Sequence, residues 1–150
     1  NWEEVIKNIS SISKKNTYVY FRLRSFFSYL GPHRFSTTAI PWGHVLLNDK
    51  EYRRYAKEFH KNREKKMIDS YFNTLSVPRK SVSEMIDMFS NYNFSLVCSK
   101  IETPPYVNKI TKFRKELKNF WKIADKRYKH VSSAELFSSS YHIIFKKNDV

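Results

Sequence analysis

Five lysines, Lys115, Lys118, Lys122, Lys126 and Lys129, recur at intervals of three or four residues. On a helix that spacing gathers the five ammonium groups into an arc of about 80° and a ridge roughly 20 Å long. A second set, Arg53, Arg54, Lys57, Lys61 and Lys65, falls within an arc of about 120° by the same geometry. The chemistry these residues suit is anion binding. Lysine is a compact point charge without the bidentate fork of arginine. A lysine ridge therefore fits phosphate contacts that hold a polymer in place better than base contacts that select a sequence.

Each set lies opposite an apolar stripe: Phe113, Leu117, Phe120 and Ala124 for the first, Tyr52, Tyr55 and Phe59 for the second. Such segregation is also what any amphipathic helix shows. What favours binding is the poverty of acidic compensation. Ordinary exposed helices lace Glu with Lys at i, i+4, and the lysine ridge has no such pair within itself. The stretch EYRRYAKEFHKNREKKM, residues 51–67, sets seven lysines and arginines against three glutamates. The whole chain carries a net charge of +14, unevenly: residues 106–150 hold +7, and residues 76–105 are neutral. Lysine abundance also follows from an AT-rich genome, so where the charge sits says more than how much there is.

Other chemistry is scarce. His33, His44, His60, His130 and His142 have no metal-ligand spacing, and no carboxylates form a readable acid–base pair. Cys98, the one cysteine, excludes an internal disulfide framework and favours a reducing, intracellular compartment. It lies in the apolar run FSLVCSKI and reads as a buried, inert thiol. Two glycines, Gly31 and Gly43, are too few for a phosphate-cradling loop. No catalytic residue, metal or cofactor is assigned, and a non-enzymatic protein is expected. Tyr18, Tyr20, Tyr29, Tyr55, Tyr106 and Tyr128 lie near charge and could stack on bases, though a core role is the better reading. The same holds for Trp42, in the loop IPWG.

The elements that position these residues read as mostly helical. Trp2, Val5, Ile6, Ile9 and Ile12 form a helical stripe. Val19, Leu23, Phe26, Phe27 and Leu30 suggest a helix stopped by Gly31-Pro32, although its first residues also alternate like a strand. Helical periodicity runs from about Asn48 to Leu75, with the apolar face switching between His60 and Met67, which calls for a break or a change of partner there. Ser81-x-x-Glu84 and Ser132-x-x-Glu135 read as capping boxes, the second opening a helix over AELFSSSYHIIFKK, although YHIIF could equally be a strand pairing with 94–101. The clearest helix covers 106–131, with Ile110, Phe113, Leu117, Phe120, Trp121 and Ala124 at the centre of the core. The expected fold is one domain, residues 1–150, mostly α: an irregular bundle of five or six helices, with room for one short strand pair, 94–101 with 140–146.

The expected function is binding of RNA or DNA phosphates without strong sequence preference, RNA ahead of DNA, as a structural component of a ribonucleoprotein or other large assembly. The alternative is a helical protein-interaction module that contacts acidic partner proteins or an anionic membrane surface. No stretch approaches the roughly 20 apolar residues of a transmembrane helix.

Overall fold

Val19, Phe21 and Leu23 alternate with Tyr18, Tyr20 and Arg22, a period of two that sets one apolar face on a strand. In the computed structural model, which describes residues 1–29, 31, 42–73, 79–105 and 114–149, this stretch is strand β1, Tyr18–Leu23. It joins β2, Phe94–Glu102, and β3, Ser140–Lys147, in an antiparallel sheet of order β1-β3-β2. The last strand made is thus the central one.

The mostly helical expectation is corrected. Seven α-helices accompany this three-stranded sheet among the described residues, and the fold is mixed. Two misread periods account for it. The helical match over 19–30 joined Val19 and Leu23 of β1 to Phe26 and Phe27, which belong to the turns after it. Over 133–146, Ser132 does cap a helix, accepting from the Glu135 N–H at 3.1 Å. That helix lasts one turn, Ser133–Leu136, before the chain enters β3. β3 pairs with β1 from Tyr18↔Lys146 to Leu23↔Tyr141 and with β2 from Phe94↔Lys147 to Glu102↔Ser140, with a bulge at Leu96/Cys98.

The helices are α1 (Trp2–Ile12), α2 (Gly43–Leu46), α3 (Asp49–Phe59), α4 (Glu64–Phe72), α5 (Val82–Ser90), α6 (Arg114–Arg127) and α7 (Ser133–Leu136). They divide between two cores. In the first, α1 and α5 cover one face of the sheet, burying Ile6, Met85 and Phe89 against Tyr141, Ile143 and Phe145. Phe89 stacks on Phe145 with ring centroids 4.1 Å apart. The second is helical, built around Trp42, Tyr52, Tyr71, Phe120 and Leu136. Of the expected core centre, Phe120 and Ala124 are buried; Ile110 and Phe113 lie outside the described residues, as do the side chains of Leu117 and Trp121. Between α3 and α4 the chain breaks at His60 and passes through a 3-10 turn, Lys61–Arg63. This answers the switch of apolar face, for one straight helix cannot turn both stripes to one neighbour.

Glu135 joins the two cores. Its carboxylate is buried and does not fold back on Ser132. It accepts from the Ser25 hydroxyl at 2.7 Å and from the Val82 N–H, at the first turn of α5, at 3.2 and 3.3 Å. Burial raises its pKa above the ordinary carboxyl range, and the Ser25 and Val82 bonds partly offset that. The helical core also contains His44, its ring edge-on to Phe26 at 5.2 Å. Gly31, at φ +61, lies against that ring so closely that a Cβ there would sit 3.0 Å from His44 Cε1 and Nε2. Gly31→Ala therefore strains the backbone and crowds a buried ring. It should lower stability by at least about 1–2 kcal/mol, the cost of the left-handed region for an L-residue. Urea unfolding would measure it, and an unchanged midpoint would refute this close packing.

Candidate nucleic-acid interface

The charge expected on the two ridges is largely where the helices should put it. On α3, α4 and the 3-10 turn between them, Arg53, Arg54, Lys57, Lys61 and Lys65 are all exposed, and on α3 they lie opposite buried Tyr52, Tyr55 and Ala56. The Arg53 guanidinium sits 4.1 Å over the Phe72 ring, and Arg54 lies 3.7 Å from Glu58. Among the described residues, Lys57, Lys61 and Lys65 enter no ion pair. Phe59, read as part of the apolar stripe, is instead exposed, stacked on Tyr55 at 5.3 Å. On the second ridge, Lys122 and Lys126 are exposed on α6, and Lys129 is exposed in the turn beyond it. Lys115 and Lys118 belong to α6, but their side chains lie outside the described residues.

Folding adds what spacing could not. The segment before α5 meets the C-terminal end of α6, and two adjoining depressions of about 370 and 480 Å³ open there. Both are lined by Arg79, Arg127 and Tyr128; Lys126, Lys129 and His130 border one, and Lys50 borders the other. The acidic residues in the lining are Glu84 and Asp49. Glu84 is engaged by the Ser81 N–H at 2.8 Å and by Lys80 at 3.1 Å. Asp49 is 3.7 Å from Arg79.

The arginines are held in place. The Arg79 guanidinium lies 4.3 Å from the Tyr71 ring centroid and 5.5 Å from that of Phe72, and its Nη2 donates to the Tyr71 carbonyl at 3.1 Å. Arg127 Nη1 donates to the Leu46 carbonyl, and the Tyr128 ring packs on Phe27 at 4.9 Å. A concave, cationic wall of fixed groups focuses its field into the groove and raises the local concentration of anions. Nothing in the spacing of the sequence singles out Arg79, Arg127, Lys50 or His130. The one local signal is an arginine after Pro78, in a loop between two helical patterns.

The remaining candidates scatter. His33 and Tyr106 lie outside the described residues. His60 is half-buried, 3.1 Å from the Tyr55 hydroxyl. Trp42 is a core residue, as expected: its ring stacks on Phe120 at 4.5 Å, and its Nε1 donates to the Leu136 carbonyl at 2.9 Å. Cys98 corrects the expectation of a buried thiol, because β2 is an edge strand and the residue is exposed. Tyr18 and Tyr20 also leave the core role assigned to them; both stand exposed on β1. The Tyr20 hydroxyl is 2.6 Å from His142 Nδ1. His142 Nε2 comes within 3.1 Å of Glu102, at ion-pair distance but out of line for a hydrogen bond. A bond from the Ser140 hydroxyl, with His142 and Arg22 nearby, holds the Glu102 carboxyl below its ordinary range.

Among the described residues, no three His, Cys, Asp or Glu side chains converge as metal ligands, and no helix is long and apolar enough to cross a membrane. The chain matches no protein-family model, no curated protein and no solved structure.

Proposed function

We propose that the chain binds nucleic-acid phosphates without strong sequence preference, RNA ahead of DNA, as a non-enzymatic structural component of a ribonucleoprotein or other large assembly. The observation that carries this reading is the groove of Arg79, Lys126, Arg127 and Lys129. Two of its cations are fixed by rings and carbonyls and face few acids. Among the described residues, the exposed lysines Lys57, Lys61, Lys65, Lys122, Lys126 and Lys129 enter no ion pair and extend the positive surface. Such groups repel one another until a polyanion neutralises them, and each neutralised phosphate releases counterions.

The test replaces Lys122, Lys126 and Lys129 by Gln in one variant and Arg54, Lys57, Lys61 and Lys65 by Gln in another. All seven side chains are exposed, so stability should change by no more than about 0.5 kcal/mol per position. Binding to a mixed-sequence RNA, measured by fluorescence anisotropy, should weaken. The slope of log K against log salt should shrink by roughly 0.7–0.9 for each phosphate no longer neutralised. If both variants bind at low salt as the parent does, the ridges do not serve nucleic acid.

A further inference from the structure

The sheet has a second face. Tyr141, Ile143 and Phe145 point into the core under α1 and α5, so the alternate residues His142, Ile144 and Lys146 point the other way. The pairing places three cross-strand rows on that outer face: Tyr18–Lys146–Ser95, Tyr20–Ile144–Cys98 and Arg22–His142–Lys100. Successive rows are about 6.6–6.8 Å apart along the strands. No described helix packs over them. Tyr18 is 61% and Tyr20 57% exposed, and Ser95, Cys98, Lys100 and Arg22 are exposed as well.

An open face with bare tyrosines asks for an explanation, since aromatic side chains gain most from burial. Its charge narrows the occupant. Arg22, Lys100 and Lys146 supply three cations. The one carboxylate among these described residues, Glu102, is occupied by Ser140, Arg22 and His142. The centre is apolar, with Ile144 flanked by Tyr20 and Cys98. Tyr20 is also anchored, its hydroxyl bonded to His142, which limits the freedom its ring loses when something stacks on it. Rings interleaved with cations and backed by a rigid sheet fit unpaired bases with phosphates at the rim. A duplex hides the faces of its bases and cannot use the rings.

We propose that this outer face is a stacking platform for single-stranded nucleic acid, with bases on Tyr18 and Tyr20 and phosphates on Arg22, Lys100 and Lys146. The platform rests on the phosphate-binding reading for its charge and adds to it the form of polymer held, a single strand.

The experiment compares three probes at one salt concentration: a mixed-sequence single-stranded RNA, the blunt duplex of the same sequence, and inorganic polyphosphate, which has phosphates and no bases. The parent should bind all three, the single strand most tightly. The double variant Tyr18→Thr/Tyr20→Thr keeps β-forming residues on β1 and removes both rings. It should bind the single strand roughly thirtyfold or more weakly, the loss of two stacked bases, and leave duplex and polyphosphate unchanged. Tyr18→Phe/Tyr20→Phe keeps the rings and should retain most single-strand affinity. In the parent itself, NMR signals of Tyr18, Tyr20, Ile144 and Cys98 should move with the single strand and stay in place with polyphosphate. That measurement decides the matter even if a variant fails to fold. Single-strand binding by the Thr variant within twofold of the parent, or unmoved sheet signals, overturns the platform and leaves phosphate binding standing. A parent that binds none of the three probes overturns both.

Discussion

Phe120→Ala should destabilise the protein by about 3–5 kcal/mol, the usual range for deleting a buried phenylalanine ring. The size follows from what the ring holds. Phe120 is 6% exposed on α6, and its face lies on Trp42 at 4.5 Å and 28°. Trp42 is fixed in turn by its bond to the Leu136 carbonyl and by Phe137, edge-on at 5.2 Å. It also caps α2 from a left-handed backbone conformation, φ 53, so it cannot easily slide into the space the ring leaves. The cavity persists, and persistent cavities are the costly ones. Ile123, three residues on and 40% exposed, is the control: Ile123→Ala should cost well under half as much. Urea denaturation of the two variants would measure both. A Phe120→Ala midpoint close to that of Ile123→Ala would show that α6 does not carry this core.

Acidification should cost the fold about 3 kcal/mol through His44 alone, taking 1.36 kcal/mol per unit of pKa change. His44 is 2% exposed, and burial depresses its pKa from 6.5 to about 4, with the Arg79 charge adding a little in the same direction. The carbonyls of Phe26 and Ser28 partly oppose this. Its Nε2 has no hydrogen-bond partner, so a proton there would be a buried, unpaired charge. The unfolded chain therefore binds a proton that the folded one refuses. The stability is fully present above pH 6.5 and is lost as pH falls towards 4. Glu135 works the other way: its raised pKa means that acid relieves the burial of its charge, and stability from that site grows as pH falls through its folded pKa. The His44 effect is best seen as a difference. His44→Phe keeps a planar ring against Phe26, and its unfolding free energy should fall less than the parent's between pH 6.5 and 4.5. Parallel pH profiles would mean that His44 is not buried neutral.

How much of this was legible in the sequence depends on the range of the interaction concerned. Local signals were reliable. Ser81 and Glu84 form the reciprocal capping box their spacing announced, and the switch of apolar face is a break at His60. Signals that depend on a distant partner were not. A strand reveals itself by what it pairs with, and Tyr18 meets Lys146 across more than a hundred residues. With no partner in view, Val19, Leu23, Phe26 and Phe27 matched a helix as well as a strand matched Tyr18–Leu23. Glu135 shows the same limit at one residue, since its carboxylate prefers Ser25 and Val82 to its own helix cap. The ridges were visible because helical spacing alone defines them. The groove was not, because Arg79, Arg127 and Lys50 come from three separate segments.

The position of β3 has a consequence for biosynthesis. Neither β1 nor β2 has a strand partner in this sheet until Ser140–Lys147 has left the ribosome. At roughly 5–20 residues per second, β1 waits about 6–24 s with its backbone donors and acceptors unpaired. During that interval YVYFRL is an open edge, available to a neighbouring nascent chain on the same message. The helical core, whose described segments end at Phe137, can close first. Crowded polysomes should therefore select for cross-chain pairing through β1, and a chaperone that shields the early strand should raise the yield of correctly folded protein more than one that acts after release.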